Sequence, residues 1–495
     1  MSWAAPESLL IAALVIPLAA ALALPLFHKW PNLRETVTLV AAVLLCLSVV
    51  GLLGPVLAGA RPQWSGVEVL PGVAFGFRLE PLGMLFALVA SSLWIVNSIY
   101  SIGYMRAHEE PRQTTYYVCF AIALASTMGI AFAENLFTLF LAYEALTIST
   151  YPLVTHHRDG EAMRSGRLYL MLLLGTSMVL FLPAIAATYV LAGTIDFVPG
   201  GILAGKAGGA TLTVLLALYL FGIGKAAMMP LHFWLPAAMV APTPVSALLH
   251  AVAVVKAGVF CVVKVVVYVF GLETLTASGA NEWLIYAASA SLLGASLIAL
   301  TRDNLKARLA YSTVSQLAYV VLGAALATTT SIVGSGVHIA MHAAGKITLF
   351  FCAGAIYVAA HKTEVSQLNG IGRRMPVTMT AFLVGSLSII GIPPLGGTWS
   401  KWFLSLGAIE SGHLFVIGVL MLSSLLNVGY LLSIVGRAFF LPPEENVHGH
   451  APSGKIEEAP VACLIPLCIT ALLCIVLFFQ VDRITTLVSA AVTAR

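Results

Sequence analysis

Fourteen apolar stretches, each near or above the roughly 20 residues a helix needs to cross a bilayer, constrain this chain more than any other feature. They run over about 8–27, 36–58, 81–103, 114–132, 135–156, 165–190, 211–229, 243–270, 283–300, 307–326, 331–360, 377–410, 413–437 and 460–480. A soluble core has no use for so much apolar surface. Hydrophobic residues make up 60% of the 495 and charged ones 9%, where an average soluble domain carries about 25% charged. The expected fold class is an all-α polytopic membrane protein with about 14 transmembrane helices. The first run follows "MSWAAPESLL", which has Glu7 and no basic residue. That is a poor signal peptide, so 8–27 reads as a retained span.

Basic residues alternate between loops, fifteen on one side and five on the other. The positive-inside bias makes the first side cytoplasmic and turns both termini outward. Other signals are weak. No basic stripe with interleaved aromatics appears, which excludes nucleic acid as a partner. The seven cysteines lie in apolar runs without a CxxC and read as small buried hydrophobes. "GGILAGKA" from Gly200 has Ala207 where a phosphate loop needs Ser or Thr. The outer loop 59–80 alternates enough for a hairpin, and the polar loop 441–459 contains His448 and His450, an incidental pair.

The remaining five lysines, Lys225, Lys256, Lys264, Lys346 and Lys401, fall inside spans together with Glu144. Each costs at least ~2.5 kcal/mol at the centre of a bilayer helix unless partnered or hydrated. Glu144 and Lys225 read as an ion pair, either a static clamp or a poised proton carrier. Lys264, near a helix end, reads equally as a snorkelling side chain. His338, His342 and Lys346 recur every four residues and share one helical face. An HxxxH pair suits zinc, but the adjacent amine repels a cation, and a proton relay or helix–helix hydrogen bonding fits better. His250 stands nearer the cytoplasmic end of its span, six residues before Lys256.

Two spans set a helix break beside a lysine: Pro230 after Lys225, and Pro393 with Pro394 before Lys401. Broken backbone at mid-membrane depth is tolerable only along a hydrated or protein-packed cavity. The break is expected to let water and a partner reach the lysine. Spans 4–8 and 9–13 each hold five helices with the break in the fourth, the mark of two inverted repeats. The expected units are 1–110 (helices 1–3), 111–272 (first repeat), 273–440 (second repeat) and 441–495 (inner loop and helix 14).

Several stretches then fall into place together. "PLHFWLPAAMVAPTPVSALLHAVAVVKAG", "LFLAYEALTISTYPLV", "DNLKARLAYSTVSQLAYV", "HIAMHAAGKITLFFCAGAI" and "GIPPLGGTWSKWFL" closely resemble the antiporter-like subunits of respiratory complex I and of Mrp-type multisubunit cation/proton antiporters. The likeness covers roughly 80–440. It implies fourteen helices with two inverted five-helix repeats. It also implies proton-transfer roles for Glu144, Lys225, His250, Lys256, His338, His342, Lys346 and Lys401, the last being lysine in some branches and glutamate in others. "RRMPVTMTAFLVGSLSIIGIPPLGGTWSKWFLSLGAIESGH" looks most like the Mrp D subunit. The function implied is that of a proton-translocating subunit of a Na+/H+ antiporter. The alternative is a proton-pumping membrane-arm subunit of a complex I-like NADH:quinone oxidoreductase or a membrane-bound hydrogenase. A helical scaffold without an ion path and a zinc hydrolase at His338 and His342 are further readings. No cofactor or redox centre is expected. Expected partners are other membrane subunits, protons and Na+, in a bacterial plasma (inner) membrane.

Overall fold

A computed structural model describes residues 5–443 and 456–493. His448 and His450 lie outside the described residues. Among the described residues, twelve helices are long and apolar enough to cross a membrane. They are α1 (Pro6–Phe27), α2 (Pro31–Leu57), α3 (Pro81–Ala107), α4 (Gln113–Phe132), α5 (Leu136–Val154), α6 (Gly160–Ala192), α8 (Thr243–Phe270), α9 (Glu282–Thr301), α10 (Leu305–Leu326), α11 (Thr329–Ala360), α14 (Phe415–Phe440) and α15 (Val461–Phe479). The seventh and twelfth expected spans are interrupted. α7 (Gly209–Gly222) stops before Lys225, and the twelfth is split into α12 (Pro376–Ile390) and α13 (Gly397–Glu410). An amphipathic helix, α16 (Val481–Thr493), was not foreseen. It is too polar on one face to register as a span, and a Cβ at Gly336 of α11 would strike its Val488.

The expected hairpin forms as β1 (Gln63–Leu70) and β2 (Val73–Arg78), antiparallel. Asn135 pins it to α5, donating to Ala74 O at 2.7 Å while its own oxygen caps Thr138 N at 2.9 Å. The bundle buries α8 and α10 over the whole of their most apolar windows, whereas α1, α6 and α14 leave much of theirs exposed. α8 holds His250, Lys256 and Lys264; the exposed apolar faces of the less buried helices match a lipid or protein environment.

Each break has a local cause. α12 ends at Gly391 with φ +88, a left-handed turn that favours glycine. Pro393 and Pro394 follow, exposed, and supply no N–H that would need a partner. Pro230 is likewise exposed while Lys225, five residues before it, is fully buried. At the first break, α8 approaches so closely that a Cβ on Gly258 would lie 2.2 Å from the Lys225 carbonyl carbon. Gly258→Ala should therefore force two backbones apart and destabilise the protein by about 1–3 kcal/mol, read as a lowered thermal midpoint in detergent. An unchanged midpoint would show that this contact is loose.

Candidate functional site

The five intramembrane lysines share one feature that their spacing did not reveal. Four of the amines are held by carbonyl or hydroxyl acceptors and the fifth by a histidine. Lys225 Nζ donates to Tyr143 O at 2.9 Å and Thr147 Oγ1 at 2.5 Å, and its backbone N donates to Tyr143 Oη at 3.1 Å. The amine also sits 3.1 Å from the centroid of the Tyr143 ring. Lys346 Nζ repeats the pattern on α10, donating to Leu309 O at 3.2 Å and Ser312 Oγ at 2.6 Å. Lys401 Nζ takes Ile390 O, at 2.6 Å, and Ser424 Oγ at 2.8 Å. Lys264 Nζ takes Ala133 O at 2.7 Å and lies over the Phe197 ring. Lys256 Nζ meets His342 Nδ1. Among the described residues, no ion pair joins any of the five to a carboxylate.

The expected ion pair of Glu144 with Lys225 is therefore corrected. Glu144 lies within electrostatic reach of Lys225 but beyond 4.0 Å, and neither of its buried oxygens has a hydrogen-bond partner. The reason is local. Tyr143 and Thr147 lie one residue before and three after Glu144, and their oxygens take the amine first. Lys264 is 1% exposed, so it is not snorkelling to the membrane surface.

Around α11 the side chains form a row. Lys256 of α8 touches His342, whose ring stacks on His338 with centroids 5.7 Å apart. His338 Nδ1 pairs with Ser400 Oγ at 2.9 Å, the residue before Lys401. His338 also stacks on Tyr319 of α10, over which Lys401 Nζ sits at 5.2 Å. Lys346 lies on the same helix but turns to α10 rather than to His342, so the structure brings two of the three α11 residues into the row and sends the third to Ser312. Ser312 continues through Tyr430 Oη, at 2.8 Å, to Asn427 at 2.5 Å. His250 sits where α8 widens into a π-helical turn, Leu248–Val252, of the kind often found at functional sites. Its ring packs on Phe350, and both nitrogens are buried without a partner. Ser400, Tyr143, Tyr319, Thr147 and Ser312 escaped the sequence reading. Only the placement of Tyr143 and Ser400 directly before Glu144 and Lys401 could have flagged them.

This geometry, ionisable groups strung through the centre of a polytopic helical bundle with two interrupted helices, defines a class: a membrane subunit built around an internal polar axis. Residues 133–427 match the family model described as NADH:quinone oxidoreductase/Mrp antiporter, TM (Proton_antipo_M). The chain belongs to that family. It is 30% identical over 431 residues to NADH-quinone oxidoreductase subunit N of Desulforudis audaxviator, covering 85% of this chain and 83% of that protein. It is 30% identical over 427 residues to hydrogenase-4 component B of Escherichia coli, covering 81% of this chain and 62% of that longer protein. Its fold matches a chain of the Mrp complex from Dietzia sp. with a TM-score of 0.85 at 22% identity, covering 98% of this chain and 97% of that one. The chain is thus a multi-pass, antiporter-like membrane subunit of the Mrp or complex I-like kind.

Removing a neutral acceptor should expose how much the amine depends on it. Thr147→Val, nearly isosteric, is expected to cost about 1–3 kcal/mol by leaving a buried donor unsatisfied, while Thr147→Ser retains most of the stability. Thermal midpoints of the purified protein check both, and equal losses would assign the effect to packing.

Proposed function

We propose that the chain is the proton-translocating membrane subunit of an Mrp-type monovalent cation (Na+)/proton antiporter complex. The observation carrying this reading is the row Lys256–His342–His338–Ser400 with Lys401 beside it, with no carboxylate bonded to its amines among the described residues. A carbonyl or hydroxyl accepts a hydrogen bond from an ammonium and from a neutral amine alike. Such a site tolerates either protonation state, whereas a salt bridge locks one in place. The Lys256–His342 contact carries one shared proton comfortably and two poorly, so a proton gained at one favours release at the other.

In this reading Glu144 and Lys225 form the first exchange centre, coupled through space rather than through a bond. His250 and Lys256 connect it to the central axis. His338, His342 and Lys346 carry the axis along α11, and Lys401 terminates it beside the second break. Residues 111–272 and 273–440 form the two inverted repeats. Support comes from a matching device in each: Lys225 lies over Tyr143 of α5, and Lys401 over Tyr319 of α10, the second helix of each proposed unit. The termini face outward across a bacterial plasma membrane, and other membrane subunits complete the assembly.

Lys401 and the stretch around it favour the antiporter branch. The kinship with subunit N, over most of both chains, favours a second reading: a proton-pumping subunit of a quinone-linked redox complex. Everted membrane vesicles carrying the whole assembly separate the two. Added Na+ is expected to collapse an imposed pH gradient in the wild type. Lys225→Ala and Glu144→Ala should each lower that response by about tenfold or more, in line with loss of a proton-transfer group. Proton movement that follows NADH or hydrogen oxidation and ignores Na+ selects the redox reading. Full activity in both variants refutes a proton path through this chain.

A further inference from the structure

A polar cavity of about 330 Å³ opens on the face that carries Arg112, Arg158, Lys306 and Lys362. It lies between the α3–α4 connection, the α5–α6 connection, the stretch Met239–Thr243 that leads into α8, the start of α10 and the end of α11. Glu110, His157 and Lys306 line it. Glu110 Oε2 is 3.5 Å from His156 Nε2 and 3.8 Å from His157 Nδ1. His156 is buried, and its Nε2 makes no hydrogen bond. A second cavity, of about 290 Å³, reaches the far side of His156 between Arg112, Tyr151 and Arg158. Also facing Glu110 are His108 and Tyr104 from α3 and its end, and Lys306 from α10. His108 in turn stacks on Tyr357 of α11, and His361 stands edge-on to it.

Lys306 links this cluster to the interior. Its Nζ donates to Ala241 O at 2.6 Å, just before the π-helical turn that carries His250. It lies within electrostatic reach of Glu110 on one side and His250 on the other. His250 is in turn within reach of Lys346 and Lys256.

We propose that this cavity is the proton-loading mouth of the chain, with Glu110, His156 and His157 as collector and Lys306 as the relay to His250. The inference rests on the proton-transfer reading above. A proton from bulk water binds an imidazole of the cluster. It passes to the Lys306 amine, and Lys306 gives one proton to a free ring nitrogen of His250, so each carrier ends in its starting state. Glu110 supplies the fixed negative charge. Burial pushes its carboxyl up, but contact with His156 and the charges of His157, His156 and His108 outweigh burial and hold it below the ordinary carboxylate range. It stays ionised, and holds protons near the histidines, until the pH falls through that lowered value.

A collector matters most where protons are scarce, because a negative mouth raises their local concentration. Proton flux through the whole assembly in vesicles, with the pH of this face varied, tests the idea. Glu110→Gln is expected to lower flux by about tenfold at about pH 8.5 and to leave it near wild type at about pH 6, whereas Lys306→Gln, which removes the relay, should lower it by about tenfold at both. Glu110→Asp should restore the alkaline flux. Lys225→Ala, by contrast, should lose flux at every pH. Wild-type flux in Lys306→Gln, or a Glu110→Gln profile that is wild type or lowered equally at every pH, overturns the mouth while the transport reading stands on Lys225. Undiminished flux in Lys225→Ala and Glu144→Ala overturns the transport reading itself. Membrane abundance of each variant, by immunoblot, normalises the fluxes.

Discussion

The structure depends on one constraint: five lysine amines buried in a bundle of apolar helices, with no carboxylate among the described residues bonded to any of them. A charged amine out of water is costly, and a bonded acid is the usual remedy. Here the remedy is a carbonyl with a neighbouring hydroxyl, as in Tyr143 O with Thr147, Leu309 O with Ser312, and Ile390 O with Ser424. These acceptors soften the cost without fixing the charge. A helix interior has few free carbonyls, because most are engaged four residues on. Acceptors must therefore come from second lone pairs, as on α5 and α10, or from places where the helix stops.

The helix breaks follow from that need. When α12 ends at Ile390, its last carbonyls lose their helical donors. Lys401, returning from the far side of the break, takes the Ile390 carbonyl. At the first break the corresponding task falls to Trp234, whose indole donates to Gly224 O at 3.0 Å. The prolines stand on the exposed side, where a residue without an N–H leaves no donor unsatisfied. The proline thus does less to admit a partner to the lysine than the sequence suggested. At the second break glycine ends the helix, the prolines follow it, and the lysine takes a carbonyl that the ending frees.

Spans, breaks and the list of buried charges were legible because each rests on a one-dimensional pattern. Span lengths follow from bilayer thickness, and Pro393–Pro394 with Gly391 marks a break within a residue or two. The contacts were not legible, because they depend on which side chain arrives first in three dimensions. Glu144 and Lys225 looked like partners by charge; Tyr143 and Thr147, on the same helix, intercept the amine. His338, His342 and Lys346 share a face by period, yet a helix face is wide enough for Lys346 to reach α10 while His342 reaches α8. The π-helical turn at His250 carries no proline or glycine to announce it. Lys306 was counted as one basic residue among fifteen for orientation, and nothing in its spacing tied it to His250.

The row of contacts is also uneven. From Lys256 to Lys401 it runs through side chains at contact distance, with Tyr319 and Ser400 filling the gaps. Between Lys225 and Lys256, among the described residues, the link is different. The hydrogen bonds of Lys225 all go to α5, and what touches α8 is its backbone, pressed against Gly258. The packing of that backbone on Gly258, two residues from Lys256, sets the first break directly against the helix turn that carries Lys256. The first break is thus tied to the row by backbone packing at Gly258, and the second by side-chain contacts at His338 and Ser400.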